Sequence, residues 1–233
     1  MSEMGYRRQL QNFTHSDEDL VVFVRAVLES PLPIPEQLHL VLHLDDLDML
    51  RHAVCMAGRL EISELAPVLI GLYETMHDET LQWRTVEALG YMEDEQAHQF
   101  LLTLLQSREK TSLRIAAAYA FHGRKRPGTV GPLLTIAQRT TEYAELRGMA
   151  IEALAYQGDK SLLPQILPFL QDPEAVVRWD AVYTVGSLGD KSFTSFVEPL
   201  LNDCTWATRM QTVADEAREV LERWDVLPSY ENE

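Results

Sequence analysis

Cysteine is nearly absent: Cys55 and Cys204 are the only two in 233 residues. A disulfide framework is therefore excluded as the source of stability. Each lies within a helical pattern, so both are expected as small buried apolar side chains in a reducing compartment. Long apolar runs are missing too. No stretch approaches the roughly 18 apolar residues that span a bilayer, and the first twenty residues, MSEMGYRRQLQNFTHSDEDL, hold no apolar signal core. The expectation is a cytoplasmic protein that does not engage a membrane. Basic residues are scarce, 20 Lys and Arg against 36 Asp and Glu, giving a net charge of -16. Such a balance repels a phosphate backbone and argues against nucleic acid as the partner.

Signatures of chemistry are equally sparse. The sequence has no GxSxG elbow, no CxxC and no phosphate-cradling glycine loop. Of the seven histidines, His39 and His43 share a helix face in HLVLH, but the inner glutamate of a zinc-protease helix is missing, and His52, His77, His98 and His122 stand alone. The expectation is no catalytic residue, no cofactor, no metal site and no enzymatic activity.

What is present is a repeat. Residues 172–203, DPEAVVRWDAVYTVGSLGDKSFTSFVEPLLND, read as two helices. Asp172 is placed to cap the first, with Pro173 in its first turn, and Val177, Ala181, Val182 and Val185 share one face. Gly186 and Gly189 mark its end. Asp190 caps the second, in which Phe193, Phe196, Val197, Leu200 and Leu201 follow amphipathic spacing. A small-residue column, Ala53, Thr85, Ala117, Ala150, Ala181 and Thr212, recurs at steps of 31 to 33 residues, and an apolar column, Met49, Leu81, Leu113, Leu146 and Val177, keeps the same steps four positions earlier. Pro67, Pro132 and Pro164 share a column that fixes the starts of second helices. Before this array, residues 1–15 are expected as a loose arm, Ser16 and Asp19 as a capping box, and Leu20, Val24, Val27 and Leu28 as one helix face. Pro31, Pro33 and Pro35 then lead into a short helix holding Leu38, Val41 and Leu42.

These residues resemble the HEAT-repeat family, in particular its short bacterial phycobilisome-lyase-like variety. LRIAAAYAF at 113–121, LRGMAIEALA at 146–155 and VRWDAVYTVGSLGD at 177–190 carry the resemblance. It implies an all-α fold, a right-handed α-solenoid of antiparallel helix pairs, with second helices on the concave face and first helices on the convex one. The organisation expected is atypical capping helices over 1–45, one continuous solenoid domain over 46–223, and a mobile tail over 224–233. Arg114, Arg147, Arg178 and Arg209 occupy the family's arginine column, from which Leu50 and Gln82 depart. The resemblance implies pairing of such arginines with an aspartate at a repeat boundary, and Asp172 and Asp203, each six residues before its arginine, suit that role. One longer helix over 209–223 is expected as the carboxyl-terminal cap. HEAT-like lysine hydroxylases carry His-Glu pairs as iron ligands, and this sequence contains no His-Glu dipeptide.

Two turns stand out as candidate partner-binding surfaces. Residues 107–145 hold seven basic residues against three acidic ones, the densest being Arg124, Lys125 and Arg126 in HGRKRPG, a turn suited to an acidic or phosphorylated partner group. Residues 46–106 hold 11 acidic residues against three basic ones, with Glu93, Asp94 and Glu95 following Tyr91 at the equivalent turn. Trp83 and Trp179 share a repeat position with Ile115 and Met210, expected as packing between repeats. The function expected is a non-enzymatic protein-binding scaffold or adaptor using the concave face. The alternatives are a bacterial immunity or inhibitor protein that blocks a toxin or nuclease with its acidic surface, and a phycobilin-lyase-like subunit. The partner's identity and the oligomeric state are left open by the sequence.

Overall fold

Apolar spacing of three and four residues becomes helix throughout the computed structural model, which describes residues 2–11, 18–123 and 125–227. The helices are α1 (Glu3–Gln11), α2 (Glu18–Glu29), α3 (Ile34–Val41), α4 (Leu47–Arg59), α5 (Ala66–Thr75), α6 (Glu79–Tyr91) and α7 (Glu95–Gln106). They continue as α8 (Thr111–Tyr119), α9 (Val130–Gln138), α10 (Ala144–Gln157), α11 (Leu163–Ile166), α12 (Ala175–Leu188), α13 (Thr194–Val197) and α14 (Val213–Arg223). Among the described residues there is no strand, only an isolated bridge between Trp206 and Thr212. None of these helices is long and apolar enough to cross a membrane. The chain divides into two compact units, Met1–Leu104 and Leu105–Glu233.

In the first unit, α1 is docked rather than loose. Tyr6 and Leu10 are buried, and the Arg7 guanidinium donates to the carbonyls of Leu28 at 2.9 Å and Ser30 at 3.1 Å, where α2 ends. Glu3 Oε2 accepts from the Ile34 N–H at 3.0 Å, so both ends of the proline-rich turn are held. The capping pair expected at Ser16 and Asp19 lies partly outside the described residues, as does the tail beyond 227. Asp46 caps α4 by accepting from Asp48 and Met49 N–H groups. Asp78 caps α6 through the Leu81 N–H at 2.7 Å and also receives Arg51 at 3.4 Å. Gln82, a departure from the arginine column, donates through Nε2 to the Tyr73 carbonyl at 3.2 Å, closing α6 onto the end of α5.

The second unit performs the same task with charge. Arg114 Nε donates to the Leu105 carbonyl at 3.1 Å while its two terminal nitrogens take both oxygens of Glu142 at 2.8 Å. Arg147 repeats this with the Ala137 carbonyl and Asp172, its closest ion-pair contact being 2.5 Å. Arg178 Nε meets Asp203 at 2.7 Å. Asp172 and Asp203 do pair with arginines, but each carboxylate serves the arginine 25 residues before it, as Glu142 serves the one 28 before. Arg178 reaches the aspartate six residues behind only at its main-chain carbonyl, at 2.7 Å. Asp172 holds this lock and also accepts from the Glu174 N–H at 3.1 Å, and α12 begins at Ala175 with Glu174 at the cap position. Between first and second helices, Asp159 and Asp190 accept from Ser161 and Ser192 N–H groups. The preceding Gly158 is required by crowding: a Cβ there would overlap Leu162.

The last repeat departs from expectation. Thr212 and Asp215 form a reciprocal capping box that starts α14 at Val213, so Arg209 and Met210 fall in an exposed loop and not in a helix over 209–223. Cys204 is exposed in that loop and Cys55 half-buried on α4, so neither is the buried apolar side chain that cysteine usage suggests.

Arg147 is 4% and Asp172 7% exposed, so Arg147→Ala leaves a desolvated carboxylate and is expected to cost about 3–5 kcal/mol in urea unfolding. Arg51→Ala, at a 36% exposed site, is expected to cost less than about 1 kcal/mol.

Candidate functional site

Five first helices bury the small-residue column, with Ala53, Thr85, Ala117, Ala150 and Ala181 all fully buried; Thr212, the sixth member, is the half-buried cap of α14. At roughly 100° per residue, positions two and six further on are turned about 200° and 240° away and lie side by side on the opposite face. The position two on is occupied by Cys55, Glu87, Tyr119, Glu152 and Tyr183, and the position six on by Arg59, Tyr91 and Tyr156. None of these is buried. Both units thus present aromatic and ionisable side chains at one register of the repeat.

In the first unit this register opens into a hollow of about 380 Å³ lined by Cys55, Arg59, Arg84, Glu87 and Tyr91, with Gly58 and Ala88 at the crossing of α4 and α6. A Cβ on Gly58 would lie 2.8 Å from the Ala88 Cα, so the glycine lets the two helices approach. A second hollow of about 440 Å³ shares Cys55, Arg59 and Arg84 and adds Arg51 and His52. The three basic residues of the acid-rich segment 46–106 all line these two hollows. Arg84 pairs with Glu87 at 3.3 Å, and Arg51 with Asp48 at 3.1 Å and Asp78 at 3.4 Å, weak pairs of partly exposed guanidinium groups.

In the second unit the register carries a strip of aromatic rings. His122 packs at 4.9 Å from Tyr119 and stacks on Tyr156 at 4.7 Å. The Tyr156 hydroxyl is hydrogen-bonded to that of Tyr183 at 2.8 Å, and Tyr183 lies parallel to Trp179 with centroids 6.1 Å apart. The same unit holds three carboxyls that act on one another: Glu152 on α10, beside the His122 ring, and the buried Asp180 on α12 and Glu216 on α14. Burial pushes Glu152 up. Burial, then the like charges of Glu152 and Glu216, hold Asp180 well above the usual carboxylate range. Burial, reinforced by Glu219 and Glu152 and opposed by Arg223, pushes Glu216 up to about 7. Burial lowers His122 to about 4, so the ring 3.7 Å from Glu152 is neutral. The Tyr156 phenol is raised, first by its bond to Tyr183.

Of the residues singled out in sequence, Tyr91 lines the first hollow. Asp94 instead accepts from the Ala97 N–H at 2.8 Å and Glu95 from Gln99 Nε2 at 2.8 Å, both serving the start of α7, while Glu93 is exposed. In the basic turn, Arg124 lies outside the described residues and Lys125 is exposed. The Arg126 N–H donates to Gln157 Oε1 at 2.7 Å, and Gln157 Nε2 donates to the Phe121 carbonyl, so this turn is pinned to α10 through its backbone. The register of Cys55, Glu87 and Glu152 was not selected by the sequence reading. Its signal was there: polar and aromatic residues two positions after each buried small residue.

Residues 131–217 match the family model of HEAT repeats, which bears out the repeat reading. No curated protein matches the chain. Among solved structures, the chain is similar to the complex of CpcE and CpcF of phycocyanin lyase from Nostoc sp. PCC7120. The TM-score is 0.54 and the identity 22%, over 83% of this chain and 76% of that one. The likeness is one of fold: an all-α protein built from HEAT-type helix pairs.

Because the folded carboxyl of Glu216 titrates at about 7 and an unfolded one near 4.3, its contribution is complete below the unfolded value and is lost as pH rises through about 7. Glu216→Gln is expected to be more stable than the parent at pH 8 by up to about 4 kcal/mol. The advantage should narrow toward pH 5 in denaturant melts of the two proteins.

Proposed function

We propose that the chain is a non-enzymatic protein-binding scaffold whose contact surface is the register of half-buried polar and aromatic side chains on its first helices. The observation that carries this reading is the recurrence of that register, Cys55, Glu87, Tyr119, Glu152 and Tyr183, in repeat after repeat. A catalytic site needs one constellation, whereas a ridge that reads another chain needs spaced contacts on successive repeats. The sequence alone suggested the second helices as the ridge. We assign the contact to the first helices because tyrosine rings, among the groups that anchor interfaces, stand there. The match to HEAT repeats supports the scaffold reading, as does the neighbouring lyase, itself a complex of two chains.

A second reading, a phycobilin-lyase-like subunit, is favoured by the same neighbour. It predicts a shifted bilin absorption band on mixing with the purified protein, and an unchanged spectrum removes it.

The scaffold reading is tested by photo-crosslinking in the native host with benzoylphenylalanine in place of Tyr91 or Tyr183. Both positions are expected to trap one and the same protein, while Leu40, 60% exposed on α3, traps none. Absence of any crosslinked protein at Tyr91 and Tyr183 under every growth condition would sink the reading.

A further inference from the structure

Helix α3 closes on two histidines. His39 lies in its last turn, and His43 follows the Leu42 cap. The chain tightens there, the His43 N–H bonding to the Leu40 carbonyl at 3.2 Å and the Leu44 N–H to the Val41 carbonyl at 3.0 Å. Because the His43 backbone bonds one residue short of the α-helical pattern, the His39 carbonyl is left to the His43 ring, whose Nδ1 stands 2.7 Å from it. A carbonyl only accepts, so Nδ1 carries the proton, and in the neutral ring Nε2 keeps a lone pair. Metal-binding histidines are commonly held this way, one ring nitrogen donating to a backbone carbonyl and the other meeting the ion. The His39 ring lies against the same imidazole, with centroids 4.6 Å apart and planes inclined by 37°. It makes no hydrogen bond among the described residues. Both histidines are exposed.

Capping of the helix end accounts for one ring. It does not account for a second imidazole laid beside the first where water reaches both. The surrounding field also favours a cation: the open carbonyls of a helix end carry partial negative charge, and Asp45, Asp46 and Asp48 follow in a chain of net charge -16. A metal–imidazole bond is about 2.0–2.1 Å long, so rings centred 4.6 Å apart are close enough to share one ion. Imidazole nitrogen suits zinc, nickel and copper, whereas magnesium and calcium seek oxygen. Among the described residues no third His, Cys, Asp or Glu completes a metal-binding group, so the remaining coordination positions fall to water.

We infer that His39 and His43 form a two-histidine chelate for a divalent transition-metal ion of the zinc, nickel and copper class. The inference stands apart from the protein-binding reading, because both ligands belong to the end of α3 and no partner is needed. Chelation is what separates the pair from ordinary surface histidines: once one ring holds the ion, the second nitrogen is delivered to it at high effective concentration. Binding ties the last turn of α3 to the residue beyond its cap and stabilises the folded chain in proportion to occupancy.

The test titrates the full chain, isotopically labelled on histidine, with nickel(II) chloride and reads the ring C–H resonances. Those of His39 and His43 are identified by their loss in His39→Gln and His43→Gln. Substoichiometric nickel is expected to broaden both sets in step, and calorimetry to show a single tight site per chain, with zinc chloride competing for it and millimolar magnesium leaving it unchanged. Each single variant should lose about a hundredfold in nickel affinity. Both positions are exposed and glutamine at 43 keeps a donor for the His39 carbonyl, so the variants are expected to unfold at the parent's urea midpoint. Should His43→Gln unfold earlier, His39→Gln alone decides, since the His39 ring holds no hydrogen bond in the fold. Nickel affinity within about twofold of the parent in His39→Gln, broadening of one ring without the other, or a tight site that survives replacement of both histidines would each overturn the inference. Equal competition by magnesium would overturn the choice of a transition metal.

Discussion

A guanidinium buried between two repeats sets the geometry on which the second unit depends. Arg147 cannot be left in a dry interface by itself, so three of its nitrogens are committed: one to the Ala137 carbonyl near the end of α9 and two to Asp172. This fixes both the end of one repeat and the opening of the next with a single side chain. Charge makes the arrangement exacting, because a bidentate pair loses most of its value when either partner is displaced. The Arg114 guanidinium holds the Glu142 carboxyl below its usual range, consistent with a pair that is fully engaged.

The first unit shows what remains when the arginine is absent. Gln82 supplies the carbonyl bond that Arg114 Nε supplies one repeat later, but a neutral amide has no second arm for a carboxylate. Arg51 partly replaces that arm from the neighbouring position, reaching Asp78 at 3.4 Å. Stacking in this unit accordingly leans on apolar burial and on close helix crossing at Gly58, and apolar burial is less directional than a forked hydrogen bond.

Periodicity made the helices, their starts at Pro67 and Pro164 and the arginine column readable from the sequence, because packing at a fixed register leaves a fixed residue pattern. Three things were not readable. The direction of the arginine lock was hidden, since Asp172 is six residues from Arg178 and 25 from Arg147, and only the fold brings the distant one close. The start of α14 was misjudged because the Thr212 and Asp215 box overrides the helical spacing of Arg209 and Met210. The aromatic strip and the buried acids are not legible in sequence because His122, Tyr156 and Tyr183, like Glu152, Asp180 and Glu216, are scattered over successive repeats. Turns rich in charge drew attention instead, yet Asp94 and Glu95 serve helix ends and the Arg126 backbone is tied to Gln157.

The forked arginine has its two receivers in neighbouring periods, and this constrains how such a chain can change length. Excising one whole period from the middle of the second unit would set an arginine opposite another boundary carboxylate and restore the join. Excising half a period would strand the guanidinium and the acid together, each without a mate in a dry seam. Growth or loss of this protein is therefore quantised, and the quantum is set by a salt link rather than by the helices it fastens.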